Sequence, residues 1–290
     1  MAVLELTNLC KKFGRFALGP VDLTLEPGTA NGLIGANGAG KTTLFRCIMG
    51  TVRRSQGIVR VEGAVADDSD GHWKEKIGYV GDYTPLFDRW SGGDNLQAVA
   101  ACYDSWSDET VQRLASRLDL DLDQTAKHYS TGQRTKLALI RALAHGAKVL
   151  LLDEPTAGLD PVARDTFMEI LHERMLDDDV TVLYATHHVA EIESFVDQLV
   201  FIDHGRILRR EMKEDLAQHW RKVTFRFDPE VGEIPNEISR RVVGSDCEIV
   251  SSNYQSSIWF LEQAGIRPVQ ESRISIEQIC VQLLKTRRGV

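Results

Sequence analysis

Gly35-Ala36-Asn37-Gly38-Ala39-Gly40-Lys41-Thr42 is the stretch on which the reading of this chain turns. It matches GxxxxGK[ST] at every fixed position. An apolar segment, Asn31 to Ile34, runs into it, and a segment of helical character, Thr42 to Met49, leaves it. That strand–loop–helix setting is the one the motif requires. The glycines let the backbone curl so that its N–H groups point inward onto phosphate oxygens, and the start of a helix adds partial positive charge. Lys41 supplies a point charge to the β- and γ-phosphates, and Thr42 offers its hydroxyl to Mg²⁺. Gly35, Asn37, Gly38, Ala39, Gly40, Lys41, Thr42 and Thr43 are therefore the expected nucleotide-binding residues. By itself the motif indicates a nucleotide triphosphatase or a kinase and does not separate them.

Outward from this loop, strand and helix patterns alternate. Val3 to Leu6 and Val21 to Leu25 show the period of two expected of strands, with a turn at Pro27-Gly28. Val59 to Val61 and Ile77 to Val80 read as further strands. From Asn95 to Leu122 the chain favours helix, with Leu96, Val99 and Ala100 on one face and Val111, Leu114 and Leu118 on another; Leu137, Ile140, Arg141 and Ala144 mark a third helix. Val149 to Leu152, Val180 to Tyr184 and Leu199 to Ile202 are short continuous apolar runs, the mark of central parallel strands. Helices are expected between them, at Val162 to Met175 and Val189 to Val196. The alternation predicts an α/β fold with a mixed, largely parallel sheet. Near Glu211 the pattern changes. Val223 to Phe227 and Ile258 to Leu261 are expected as strands and Ile276 to Leu284 as a closing helix. The expected division is residues 1–215 as one domain, with a helical subdomain at about 90–147, and residues 216–290 as a small α+β extension.

The chain has 290 residues, 34 Lys+Arg against 42 Asp+Glu, and a formal charge of -8. Such an acidic chain does not read as a general nucleic-acid binder. The five cysteines are scattered and form no CxxC, which argues for reduced thiols rather than a disulfide framework or a zinc site. No stretch approaches the roughly 20 apolar residues of a membrane span, and the amino terminus lacks the apolar core of a secretory signal. The chain is expected to stay inside the cell.

Leu150-Leu151-Leu152-Asp153-Glu154 ends a buried strand with two adjacent acids. Buried carboxylates need a cation nearby, because unpaired buried charge is costly. Asp153 is suited to hold Mg²⁺, and Glu154, one residue on, to orient or deprotonate the attacking water. With these residues in place, residues 1 to about 215 resemble the nucleotide-binding domain of ABC transporters. Ser130-Thr131-Gly132-Gln133-Arg134 resembles the family's signature sequence at the usual distance before Asp153-Glu154. Ala157-Gly158-Leu159-Asp160 resembles the D-loop, with Asp160 as its acid. His187, after Thr181–Thr186, falls at the switch-histidine position, and Phe13 falls where the family stacks an aromatic ring on adenine. Only one of His187 and His188 can face the site if the segment leaves an extended strand, and the family position is that of His187.

Two departures stand out. In the signature, Tyr129 and Thr131 replace the usual Leu and first Gly. Ser130 still carries a hydroxyl, and the Gly132 and Gln133 N–H groups still open a helix aimed at an anion. After Ile77-Gly78-Tyr79-Val80 the family carries a glutamine, where this chain has Asp82. A carboxylate can ligate Mg²⁺ but, ionised, cannot donate a hydrogen bond to water. Trp90-Ser91-Gly92-Gly93-Asp94 is closer to the signature by letter but lies before the helical region, and is expected to be a loop with a helix starting at Asp94.

The resemblance implies a head-to-tail dimer with a second copy or a paralogous ATPase. Two MgATP would lie between the subunits, each signature serving the partner's nucleotide. It also implies an integral membrane permease as the recipient of the motion, contacted by the helical region and the loop after Val80, with the chain peripheral on the inner face of the membrane. The carboxyl-terminal portion resembles the extension of drug, antibiotic-peptide and lipid exporter ATPases. Two rivals differ in class: a soluble ABC ATPase of a nucleic-acid machine, and a regulatory nucleotide-binding module without turnover. Asp82→Gln restores the amide that can both ligate metal and donate to water. ATPase activity in this variant is expected to be preserved or raised; collapse of phosphate release in a folded variant would show that the acid is an essential ligand.

Overall fold

The computed structural model describes residues 1–67, 71–81, 85–177 and 180–285. The strands are β1 (Leu4–Phe13), β2 (Phe16–Leu25), β3 (Ala30–Ile34), β4 (Gln56–Val61), β5 (Ala64–Val65), β6 (Ile77–Val80), β7 (Val149–Asp153), β8 (Thr181–Thr186), β9 (Gln198–Asp203), β10 (Arg206–Met212), β11 (Arg221–Arg226), β12 (Glu237–Val243), β13 (Asp246–Ser251) and β14 (Pro268–Arg273). The helices are α1 (Lys41–Ile48), α2 (Gly92–Ala100), α3 (Asp108–Arg117), α4 (Thr131–Leu143), α5 (Pro161–Asp177), α6 (Val189–Ile192), α7 (Lys213–His219), α8 (Tyr254–Gln263) and α9 (Ile276–Lys285). The chain divides into two compact units: Met1–His187 with Val200–Arg209, and His188–Leu199 with Arg210–Val290.

The first unit has an α/β fold with a mixed central sheet, an antiparallel sheet and a helical subdomain. Its central sheet has the order β10-β9-β3-β8-β7-β6, with β3, β8, β7 and β6 paired in parallel. Every residue of β3, β7 and β8 is buried, which is why these strands read as unbroken apolar runs rather than as alternation. An antiparallel sheet, β2-β1-β4-β5, lies beside it in sequence and shares one apolar core with it, built from residues such as Leu4, Leu23, Phe45, Leu151 and Leu183. The β1–β2 hairpin is far longer than its apolar residues alone suggest. Asn8 takes a left-handed φ of 48° where the register shifts between Leu6 and Leu9, so the alternation breaks at an irregularity and resumes.

The helical subdomain holds α2, α3 and α4. Ser91 caps α2, accepting from Asp94 N while the Asp94 carboxylate accepts from Ser91 N. This corrects the expectation that the helix begins at Asp94: in a capping box the acid is the third helical residue, so the helix opens at Gly92. Gly92 lies against the buried Tyr129 ring, whose hydroxyl donates to Asp121 O at 2.6 Å. α4 packs on β6 at Gly78, where an added Cβ would lie 2.5 Å from the Ala142 carbonyl oxygen. α5 runs to Asp177, beyond the expected Met175; Asp178 and Asp179 lie outside the described residues.

The second unit is the α+β extension. Its antiparallel sheet has the order β12-β13-β11-β14, with Val223, Phe225, Ile249 and Leu261 fully or almost fully buried in a separate core. Residues 258–261, expected as a strand, are helical. A four-residue apolar run does not distinguish the two states. Asn253 decides it by accepting from Ser256 N, and Ser257 and Leu261, four apart, form the buried face. The short α6 ends at Ile192 rather than Val196 and packs with α7 and α9, burying Ile192, Leu216, Ile279 and Cys280. Residues 188–199 thus group with the extension through helix packing that chain order does not reveal. Phe225→Ala removes a ring that is 1 % exposed from this core, and the unit's urea unfolding is expected to lose about 3–5 kcal/mol; an unchanged midpoint would refute this account of the core.

Candidate functional site

β3 delivers the phosphate loop, and its neighbours deliver the acids and the histidine. The parallel register sets Ile34 beside Thr186 and Asp153 beside Ala185. The carboxyl ends of β3, β8 and β7 therefore lie side by side, the usual place for a ligand in an open α/β sheet. A cleft of about 360 Å³ opens there, lined by Phe16, Ala36, Asn37, Gly38, Gly40, Lys41, Thr42, Thr43, Asp153 and Glu154.

The loop is shaped for close approach. A Cβ at Gly35 would strike the Ile202 carbonyl oxygen, and Gly40, the residue before α1, sits at φ 113°. No side chain caps α1 and its first turn holds no acid. Its leading N–H groups are thus left to an external anion. Lys41 is 6 % exposed, and its Nζ donates to Gly35 O at 2.7 Å and lies 3.6 Å from Glu154 Oε1.

Glu154 has a left-handed φ of 48°, a conformation costing about 1–3 kcal/mol for such a residue. Its backbone is held on both sides: its N–H donates to Ala185 O at 2.9 Å, and its carbonyl accepts from Ala157 N at 3.1 Å. The turn aims the carboxylate back across the sheet. His187 Nδ1 is 2.8 Å from Glu154 Oε1, and Thr186 Oγ1 donates to Oε2 at 3.1 Å. An ionised carboxylate only accepts, so the geometry places the His187 proton on Nδ1. Glu154, His187 and Lys41, separated in sequence, meet on one carboxylate. His188 begins the second unit, ahead of α6.

Asp153 is 1 % exposed at the end of β7. Its carboxylate and the Thr42 hydroxyl are hard oxygen donors of the kind Mg²⁺ takes. Among the described residues no group of three His, Cys, Asp or Glu could hold a metal. A two-oxygen protein set agrees with a Mg²⁺ whose other ligands are phosphate oxygens and water. Asp82 lies outside the described residues.

The signature residues are placed elsewhere. Ser130, Thr131, Gly132 and Gln133 open α4 and line no part of the cleft. Ser130 and Gln133 form a capping box, in which Ser130 Oγ accepts from Gln133 N at 3.1 Å. This narrows the expected open donors, because the Gln133 N–H is already bound; the Ser130 O–H finds no acceptor among the described residues. Gly132 packs on the D-loop, where an added Cβ would lie 2.7 Å from Gly158 O. Asp160 Oδ1 accepts from Ala163 N at 2.9 Å, a bond that holds its carboxyl below the ordinary range. Burial, with Asp121 and Asp123 nearby, pushes the Tyr129 phenol up to about 12.

Phe13 ends β1, 43 % exposed, with Lys11 Nζ 4.8 Å from its ring centre. Sequence reasoning missed Phe16. It pairs with Phe13 across the hairpin and lines the cleft itself. Both rings were visible in Phe13-Gly14-Arg15-Phe16, but only the register shows that directly opposed residues share a face. Thr186 was missed as well, although its place before His187 at a strand end was a signal.

Lys41→Ala removes the buried ammonium that the loop carbonyl holds in place. Titration with a fluorescent ATP analogue is expected to show loss of tight binding; unchanged affinity would refute the phosphate-loop assignment.

Comparison with known proteins gives a consistent result. A family model described as "ABC transporter" matches residues 18–157. The ABC transporter ATP-binding protein NatA of Bacillus subtilis (strain 168) is 32% identical over 217 residues, covering 73% of this chain and 88% of the relative. The lantibiotic transport ATP-binding protein SrtF of Streptococcus pyogenes is 32% identical over 209 residues, covering 71% of this chain and 89% of the relative. A solved structure of an ATP-binding subunit of an ABC transporter superimposes with a TM-score of 0.68 at 25% identity, covering 74% of this chain and 92% of that one. With the phosphate loop, the acid pair and the helical subdomain in their family order, this chain belongs to the ABC transporter ATP-binding proteins.

Proposed function

We propose that the chain is the ATP-hydrolysing subunit of a transporter, working as a dimer around two MgATP and driving a separate membrane permease. The convergence of Lys41 and His187 on Glu154 carries this reading. A carboxylate that only capped a turn would not need a histidine and a buried lysine within reach.

In this reading the loop N–H groups and Lys41 take the triphosphate, and Phe13 and Phe16 offer rings to the base. Mg²⁺ bound by Thr42 and Asp153, with Asp82 as a further ligand, would neutralise charge on the phosphate oxygens. Lys41 Nζ lies 3.6 Å from Glu154 Oε1; given a phosphate partner, it releases that oxygen to accept from a water. His187 Nδ1–H and the Thr186 hydroxyl then hold the carboxylate in register, so that the lone pairs of Glu154 orient or deprotonate that water. Ser130, Thr131 and Gly132, outside the cleft of their own chain, serve the second nucleotide from a partner copy or a paralogous ATPase.

No described helix is long and apolar enough to cross a membrane. The likeness to ATP-binding proteins of transporters supports assigning the transport step to another protein, with this chain peripheral at the cytoplasmic face. Export is the proposed direction, from the resemblance of the carboxyl-terminal portion to the extension of exporter ATPases, and no nucleic-acid partner is invoked.

Glu154→Gln keeps the shape and the neighbouring Asp153 but lowers the basicity of the acceptor. Nucleotide binding is expected to persist while phosphate release falls by about a hundredfold or more. Uncleaved ATP is then expected to hold two chains together, seen as earlier elution on size exclusion with MgATP. Near-normal hydrolysis would sink the catalytic role of Glu154. Absence of hydrolysis in the unmodified chain would favour a regulatory module instead.

A further inference from the structure

One face of α3 carries a stripe of donors that the protein does not use. Ser107, which caps the helix, is followed three residues on by Thr110 and then by Arg113 and Leu114, a spacing that keeps them on one side. All four line a cavity of about 290 Å³, close to the lower end of small-molecule pockets. The cavity shares no residue with the nucleotide cleft. Ser107 Oγ accepts from Thr110 N at 3.1 Å and keeps its own proton to give. The Thr110 hydroxyl and the Arg113 guanidinium make no hydrogen bond or ion pair among the described residues.

The acids nearby are committed elsewhere. Arg117, one turn beyond Arg113, takes Glu173 of α5: its Nη2 donates to Oε1 at 2.9 Å and its Nη1 to Oε2. That pairing, with Arg113 adding to it, holds the Glu173 carboxyl below the usual carboxylate range. Asp108, at the start of α3, accepts from Gln97 Nε2 at 3.1 Å and from Trp106 Nε1 at 3.0 Å. The cavity is thus offered donors and cations, with Arg174 of α5 as a second guanidinium. Its remaining surface is hydrocarbon: Leu114, Leu143, Ala144 and Ile170 line it and are each at most 6 % exposed. A bare inorganic ion has no use for that floor, and a hydrocarbon has none for the donors. Glu173 in the same lining suits a monoanion better than a phosphate dianion, because like charges repel.

We propose that this cavity between α3, the end of α4 and α5 is a binding site for a small organic monocarboxylate with a short apolar body. Arg113 takes the carboxylate, the Thr110 and Ser107 hydroxyls donate to its remaining lone pairs, and the apolar body lies on Leu143, Ala144 and Ile170. A bidentate guanidinium–carboxylate pair supplies orientation as well as affinity. The proposal stands apart from the ATPase and transporter readings, since it uses none of their residues.

The test uses the full chain and two probes of one shape, isocaproate and its neutral amide, titrated by ligand-observed NMR at neutral pH. The acid is expected to bind about tenfold tighter than the amide. Arg113→Met is expected to erase that preference, and Arg113→Lys to keep part of it. Thr110→Val, which removes the hydroxyl and keeps the shape, is expected to weaken the acid about threefold. Thr110→Phe places a ring in the cavity and is expected to abolish binding of both probes. Circular dichroism melts check that each variant is folded; if one is not, the acid–amide difference on the unmodified chain and the remaining variants decide. Equal binding of acid and amide, binding of neither, a preference that survives Arg113→Met, or binding that survives Thr110→Phe would overturn the proposal. So would inorganic phosphate that binds as tightly as isocaproate and depends on Arg113, which would assign the site to a bare anion.

Discussion

The Lys41 ammonium, buried between the Gly35 carbonyl and the Glu154 carboxylate, joins the two halves of the site. A charge this deep needs fixed partners. One comes from its own loop at 2.7 Å and the other, at 3.6 Å, from a strand more than a hundred residues later. The sheet order makes this possible, because β8 lies between β3 and β7 and carries Thr186 and His187 into the gap. The open N-terminus of α1 then faces a space with cationic and hydrogen-bonding groups on one side and acids on the other. That division suits a phosphorylated ligand and its metal.

The same region keeps a local strain. Glu154 is held at positive φ by two backbone hydrogen bonds, one to β8 and one within its own turn. Those bonds fix the carboxylate against the end of β8, so its direction follows from the sheet rather than from side-chain freedom. The chain continues from this turn to Gly158, which packs on Gly132 at the start of α4. A short path of packed backbone thus links the acid of one site to the signature residues.

The helical subdomain is tightly fixed. Its helices are fixed by reciprocal caps at Ser91–Asp94 and Ser130–Gln133 and by α4 against Gly78.

The sequence alone determined the strand–loop–helix around Gly35–Thr42, the adjacent acids that follow a buried strand, and the alternation of buried strands and helices. Each is a local pattern: glycines that free the backbone, a lysine and threonine at fixed spacing, and apolar runs with no polar side because both faces are covered. It also revealed the closing helix, whereas the Ser130 cap on α4 emerged only from the structure. Where local pattern was weak or two-sided, it misled. Ile258 to Leu261 became a helix through an Asn253 cap, and the long first hairpin was hidden by an irregularity at Asn8. Only the tertiary structure decided which distant groups meet. His187, Thr186 and Lys41 converge on Glu154 because parallel register aligns three strand ends, and register is a pairing between segments that no single segment encodes. Phe16 joins the cleft through its pairing with Phe13, and residues 188–199 leave the first unit through helix packing. Those outcomes belong to the contacts between elements, which form only when the whole chain is folded.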